Sequence, residues 1–180
     1  MTDYNQILDV GDYQNGLVNT IVEISKGSSN KIEWKRDEGI FKIDRVEPVI
    51  FAKPANYGFI PKTLDEDGDE LDTLIVTDES IPTGVWVEMK IIGVLNFEDG
   101  GDMDHKIIGV VADDRQTNDA VTSLDNLTPG LKNQIEHHFA HYKDLKKPGT
   151  TKVLGWGDIA AAKQIIEASI NRYQQHNSQS

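Results

Sequence analysis

Between residues 17 and 112 the chain repeatedly alternates apolar and polar side chains over short stretches punctuated by turn residues. This pattern limits the fold more than any other feature. "LVNTIVEISK" (17–26), "KIEWKRD" (31–37) and "IFKIDRVE" (40–47) follow one another across Gly27-Ser28-Ser29-Asn30 and Asp37-Glu38-Gly39. "TLIVT" (73–77) is short and β-branched. "VWVEMKIIGVLNF" (85–97) puts Val85, Val87, Met89, Ile91, Leu95 and Phe97 on one parity, and "DHKIIGVVA" (104–112) can pair with it across "EDGGDM". A period of two with hairpin punctuation predicts strands, and their close spacing is that of a closed antiparallel β-barrel.

The last third changes period. Thr128 is placed to cap a helix with Pro129 at its first position, after which Leu131, Ile135, Phe139 and Tyr142 recur at helical spacing. Asp158 starts a second helix, with Ile159, Ala162, Ile165, Ile166, Ser169, Ile170 and Tyr173 on one face. The two helices are expected to flank the barrel. Nothing divides the chain, so residues 1–180 read as a single α+β domain.

Thirty acidic against eighteen basic residues give a formal charge of −12. Such a chain lacks the basic footprint that nucleic acid or an anionic membrane requires. With no cysteine, thiolate metal sites and thiol nucleophiles are excluded. The polar, acidic start does not resemble a secretory signal, and no apolar run approaches the roughly 20 residues of a membrane span. A cytoplasmic location is expected.

The acidic charge is concentrated. Asp65, Glu66, Asp67, Asp69, Glu70 and Asp72 crowd round Gly68, immediately before the strand at 73. A turn at Gly68 could bring Asp72 round to face Asp67. A second set, Asp99, Asp102 and Asp104, brackets Gly100-Gly101, and Lys106 follows Asp104 on the same strand face. Neighbouring carboxylates resist joint ionisation unless something positive lies between them. Oxygen-only ligands suit Mg²⁺, Mn²⁺ or Ca²⁺. Exposed turns also collect Asp and Gly, so each set alone is equally compatible with a solvated loop. A helix-flanked calcium loop fails, because Leu74 stands where its bidentate Glu belongs and the flanks read as strand.

Taken together, the segments resemble a known family. "DGDELD" (67–72) resembles the Asp-x-Asp-x-x-Asp motif of the family I soluble inorganic pyrophosphatases of bacterial type, and "ANYGFI" (55–60) their Asn-Tyr-Gly segment. "VEISKGSSNKIEWKRDEG" with "FKIDR", "GVLNFEDGGDMDHKIIGV" and "HHFAHYKDLKK" resemble further family segments in the family's order. The resemblance implies a five-stranded, OB-like barrel with flanking helices, hydrolysis of pyrophosphate to two phosphates with several Mg²⁺ ions, and a homo-oligomer, typically a hexamer. By motif position, Asp67, Asp72 and Asp104 would hold the tight metal, with Asp72 also facing a second. Asp99 with Asp104 would hold one arriving with substrate, and Glu23 would reach a further one through water. Asp69 would be the base that takes a proton from water. Lys31, Arg45, Lys106, Tyr142 and Lys143 would grip phosphates, Tyr57 would support the metal and water cluster, and Glu33 would stand behind them. A non-catalytic barrel binding metal or a phosphorylated partner is the alternative, separable because hydrolysis alone requires Asp69.

Several residues have a simpler reading. Lys31 and Glu33 alternate on one strand face and could be an exposed ion pair worth about 0–1 kcal/mol. Tyr142 continues an apolar stripe. Trp34, Trp86 and Trp156 read as core or interface aromatics. His137, His138 and His141 share a helix, where they read as surface or subunit-contact residues. Lys53 stands where members of the family commonly carry Tyr, Glu70 where Pro is usual, and Thr73 where an aliphatic residue is usual.

Overall fold

The long strand expected at 85–97 organises the molecule. The computed structural model describes residues 2–116 and 120–178. In chain order it comprises α1 (Tyr4–Ile7), β1 (Leu17–Ile24), β2 (Asn30–Lys35), β3 (Ile40–Val46), β4 (Asn56–Phe59) and β5 (Asp72–Ile75). These are followed by β6 (Trp86–Asp99), β7 (Asp102–Met103), β8 (Lys106–Val111), α2 (Pro129–His141), β9 (Thr151–Gly157) and α3 (Ile159–Asn177). β6 is long enough to pair with β1, β7, β8 and β9 along its length.

The expectation of a closed antiparallel OB-like barrel with two helices is corrected. The main sheet has seven strands and is mixed: β1, β4, β5, β8, β6 and β7 follow in order, and β9 joins on β6. β5 and β8 run parallel, with Asp72 beside Lys106 and Leu74 beside Ile108. β2 and β3 form a separate two-stranded sheet, and three α-helices are present among the described residues. The reason is topological. Parallel neighbours need a crossover, and here β6 and its turn supply it, returning β8 alongside β5. Alternation within a strand reports its two faces and carries no information about the direction of a non-sequential neighbour. β4, β7 and β9 lie outside the stretches whose alternation reads as strand.

The helices begin where expected. Thr128 accepts the Leu131 backbone N–H at 3.2 Å and Asp158 accepts that of Ala161 at 2.9 Å, satisfying first-turn donors. Ala162 and Ile166 of α3 pack with Val18, Met89, Val94 and Ile107. Ile135 and Phe139 of α2 pack with Leu95, Phe97 and Ile108. Full burial of such side chains stabilises by about 1.5–3 kcal/mol each. Both faces of β6 are thereby covered, and its far end, with the β5 and β8 starts, is held rigidly at the rim of a cleft.

Candidate active site

The parallel pairing of β5 with β8 also builds the floor of this cleft. Because β5 and β8 run side by side from the same end, Asp72 and Lys106 are register partners at their first residues. Lys106 is 1% exposed, and its ammonium donates to Asp72 Oδ2 at 2.5 Å and to Asp104 Oδ1. Tyr57, on β4 next to β5, donates its hydroxyl to the same Asp72 oxygen. Burial opposes ionisation of Asp72, but Lys106 and Lys31 overcome it and its pKa falls. Asp104 goes the other way, raised by burial. Burial would neutralise Lys106, yet the two carboxylates hold it charged, with its pKa raised.

The loop above carries Asp67 and Asp69. Gly68 has φ +93°, a left-handed conformation that favours glycine. The loop is closed by Asp65 N–H donating to Asp69 O at 2.7 Å and Gly68 N–H to Asp65 O at 3.2 Å. Asp67 and Asp69 open onto the cleft, yet partial desolvation and the neighbouring Asp72 raise both above the ordinary carboxylate range. Lys31 and Arg45, which also line the cleft, are partners across β2 and β3. Lys31 lies 3.7 Å from Glu33, and Arg45 is braced by Asp44 at 2.7 Å and by Glu47. Glu23 is buried, accepts the Trp34 backbone N–H at 2.6 Å, and is pushed up to about 8 by burial. At the end of β6, Asp99 accepts the Tyr142 hydroxyl at 3.0 Å and the Lys143 ammonium.

Every residue to which the family resemblance assigns a site role lines this one cleft of about 510 Å³: Asp67, Asp69, Asp72, Asp99, Asp104, Glu23, Glu33, Lys31, Arg45, Tyr57, Lys106, Tyr142 and Lys143. The two acidic turns therefore open onto the same space. Asp102 does not line it; it pairs with Asp99 across the Gly100-Gly101 turn. Simple and functional readings coexist at two places. Lys31 does pair with Glu33, and Tyr142 does pack against Phe97 and Phe139 while its hydroxyl reaches Asp99.

Other readings hold for some residues and change for others. His138 is buried and faces Lys53, while His137 and His141 are exposed with ring centroids 4.6 Å apart. Trp34 stacks on Phe59 in the core, whereas Trp86 is exposed. Glu70 accepts from Asn5 at 2.9 Å and Arg36 at 2.7 Å, tying α1 and the β2–β3 turn to the acidic loop. Thr73 is bonded to Thr20 at 2.6 Å inside the sheet. Asp65 was not distinguished from its neighbours. It is buried, and it accepts the His105 backbone N–H at 3.1 Å with Arg172 at 3.4 Å, joining the two acidic segments. A local run of carboxylates gives no sign of which member turns inward.

The donor chemistry fits hard divalent ions: Asp67, Asp72 and Asp104 offer only carboxylate oxygens. Among the described residues no three carboxylate or histidine side chains form a ready-made metal cage, and the Lys106 ammonium lies between Asp72 and Asp104 instead. The upward shifts of Asp67, Asp69 and Asp104 come first from burial and then from neighbouring carboxylates, and a divalent cation beside them would favour their charged forms.

A family model described as inorganic pyrophosphatase matches residues 20–174. The inorganic pyrophosphatase of Neisseria meningitidis serogroup A is 56% identical over 173 residues, covering 96% of this chain and 98% of that protein. That of Thermus thermophilus is 42% identical over 168 residues, covering 92% and 95%. The crystal structure of an inorganic pyrophosphatase from Neisseria gonorrhoeae superposes with a TM-score of 0.94 at 55% identity, covering 96% of this chain and 99% of that one. With likeness of this extent in both sequence and fold, the chain belongs to the family I soluble inorganic pyrophosphatases.

Proposed function

We infer that the cleft hydrolyses inorganic pyrophosphate to two phosphates with magnesium, which makes the chain an inorganic diphosphatase. The observation that carries the reading is the convergence of Asp67, Asp69, Asp72 and Asp104 with Lys31, Arg45, Tyr142 and Lys143 on one cleft. The carboxylates of the cleft suit cations, and its basic side chains suit phosphate oxygens.

In this reading Asp67, Asp72 and Asp104 would hold the tight magnesium, Asp99 with Asp104 would hold one arriving with substrate, and Glu23 would reach a further one through water. Magnesium so bound supplies charge neutralisation and acidifies water. The remaining work falls to the chain. Arg45, oriented by Asp44 and Glu47, can chelate two phosphate oxygens, while Lys31 and Lys143 act as point charges. The Tyr142 hydroxyl is fixed by Asp99 for a phosphate contact. Lys106 keeps Asp72 and Asp104 together and, with metal neutralising them, would offer its charge to phosphate. Tyr57 fixes one oxygen of Asp72, and Glu33 steadies Lys31. The Asp69 carboxylate, with its affinity for protons raised, accepts the proton of the attacking water. With a formal charge of −12 the surface repels free pyrophosphate, so the magnesium complex is the productive substrate.

Residues 1–180 are taken as one domain acting within a homo-oligomer, a hexamer by family resemblance, in the cytoplasm. No described helix is long and apolar enough to cross a membrane. The test is phosphate release from pyrophosphate as magnesium is raised at fixed total pyrophosphate. Release that climbs with the complex and stops on chelation supports the reading; no release with magnesium overturns it.

A further inference from the structure

One cation of the cleft is unlike the others. Lys31, Lys35, Arg36, Arg45, Lys106 and Lys143 each have a carboxylate partner. Lys53 also lines the cleft, but among the described residues no carboxylate lies within ion-pair distance of its ammonium. Its surroundings are a cage of rings, with the ammonium 4.5 Å from the Tyr57 centroid and 5.3 Å from those of Phe139 and Tyr142. One polar neighbour completes the cage, His138 Nε2 at 3.4 Å.

That neighbour is constrained by chemistry. An ammonium only donates, so His138 must present its Nε2 lone pair and carry its proton on Nδ1. Burial and the adjacent Lys53 push the His138 pKa down to about 3, in keeping with a neutral ring. The stem of Lys53 is equally fixed. Its backbone N–H donates to Ser28 O at 2.9 Å, and its carbonyl accepts from Gly27 N–H at 2.9 Å, pinning it to the β1–β2 turn. Rings and a neutral imidazole compensate only part of a half-buried charge. The place for the missing counter-charge is the cleft itself.

We propose that Lys53 is a further phosphate-binding residue of this site, its ammonium positioned by His138 and the Tyr57, Phe139 and Tyr142 rings to meet an oxygen of a bound phosphate group. The proposal rests on the reading of the cleft as a pyrophosphate site. Burial, with Lys31 and Lys106 nearby, lowers the Lys53 pKa to about 7, so a phosphate anion would supply the counter-charge and favour the protonated form.

The experiment compares the parent with Lys53→Met and Lys53→Arg. Binding of inorganic phosphate is measured by calorimetry with magnesium present, and KM and kcat for pyrophosphate are measured separately. Removing one charge-assisted contact is expected to weaken phosphate binding and raise KM by about tenfold, with KM rising more than kcat falls. Lys53→Arg should recover much of the phosphate affinity. Unchanged phosphate affinity and KM in a folded Lys53→Met protein overturn the proposal. Should that variant not fold, the Lys53 side-chain resonances of the parent decide: a shift on adding inorganic phosphate supports contact and no shift refutes it. A parent that binds phosphate through Lys53 yet releases none from pyrophosphate would refute the hydrolytic reading while leaving Lys53 as a phosphate ligand.

Discussion

Replacing Lys106 with methionine isolates the electrostatic centre of the site. The side chain is 1% exposed and its partners Asp72 and Asp104 are 17% and 14% exposed, so water screens the trio little. Methionine keeps the length and apolar stem but removes the charge lying between two carboxylates. Removing one member of a buried ionic cluster leaves uncompensated charge and costs about 3–5 kcal/mol. Urea unfolding in chelator should therefore show Lys106→Met less stable by that amount. Magnesium should then favour the variant more than the parent, because it no longer competes with an ammonium for Asp72 and Asp104. At about 100 times its Kd, a cation binding only the folded state returns about 2.7 kcal/mol. A loss below about 1 kcal/mol in chelator would refute the reasoning, as would equal stabilisation of both proteins by magnesium. Adding Asp72→Asn to Lys106→Met should recover part of the loss, which a double-mutant cycle measures.

Two further predictions follow from other contacts. His138 has its pKa lowered from 6.5 to about 3 by burial and Lys53, so the unfolded chain takes up its proton first. Stability is unaffected by this group above pH 6.5 and is lost progressively as pH falls toward 3; His138→Gln should show a shallower decline over that window in chemical denaturation. Gly58 lies where an added Cβ would meet the Ile21 carbonyl oxygen at 2.1 Å. Gly58→Ala should lower stability by about 1–3 kcal/mol or more through overpacking between β1 and β4, and an unchanged urea midpoint would contradict that contact.

Much of the site was legible in the sequence because its chemistry is local. Asp67, Asp69 and Asp72 sit within a few residues round a glycine, and Asp104 and Lys106 are two residues apart and paired directly. The caps at Thr128 and Asp158 are local too, and both are observed. What escaped was set by distant pairing. The β5–β8 parallel ladder joins segments separated by the whole of β6, and no alternation within either strand announces it. Asp65 and Glu70 looked interchangeable with exposed acidic neighbours until Arg172 and Arg36, from elsewhere in the chain, drew them in. His138 differs from His137 by one helical position, which is enough to turn it from solvent to Lys53.

The most direct test of the central claim is phosphate release from pyrophosphate by the parent and by Asp69→Asn at saturating magnesium. Asp69→Asn keeps a side chain of nearly the same shape but cannot accept the proton, so turnover should fall by about 10²–10⁴-fold while magnesium still stabilises the fold. An Asp69→Asn protein that hydrolyses pyrophosphate as fast as its parent would contradict the account.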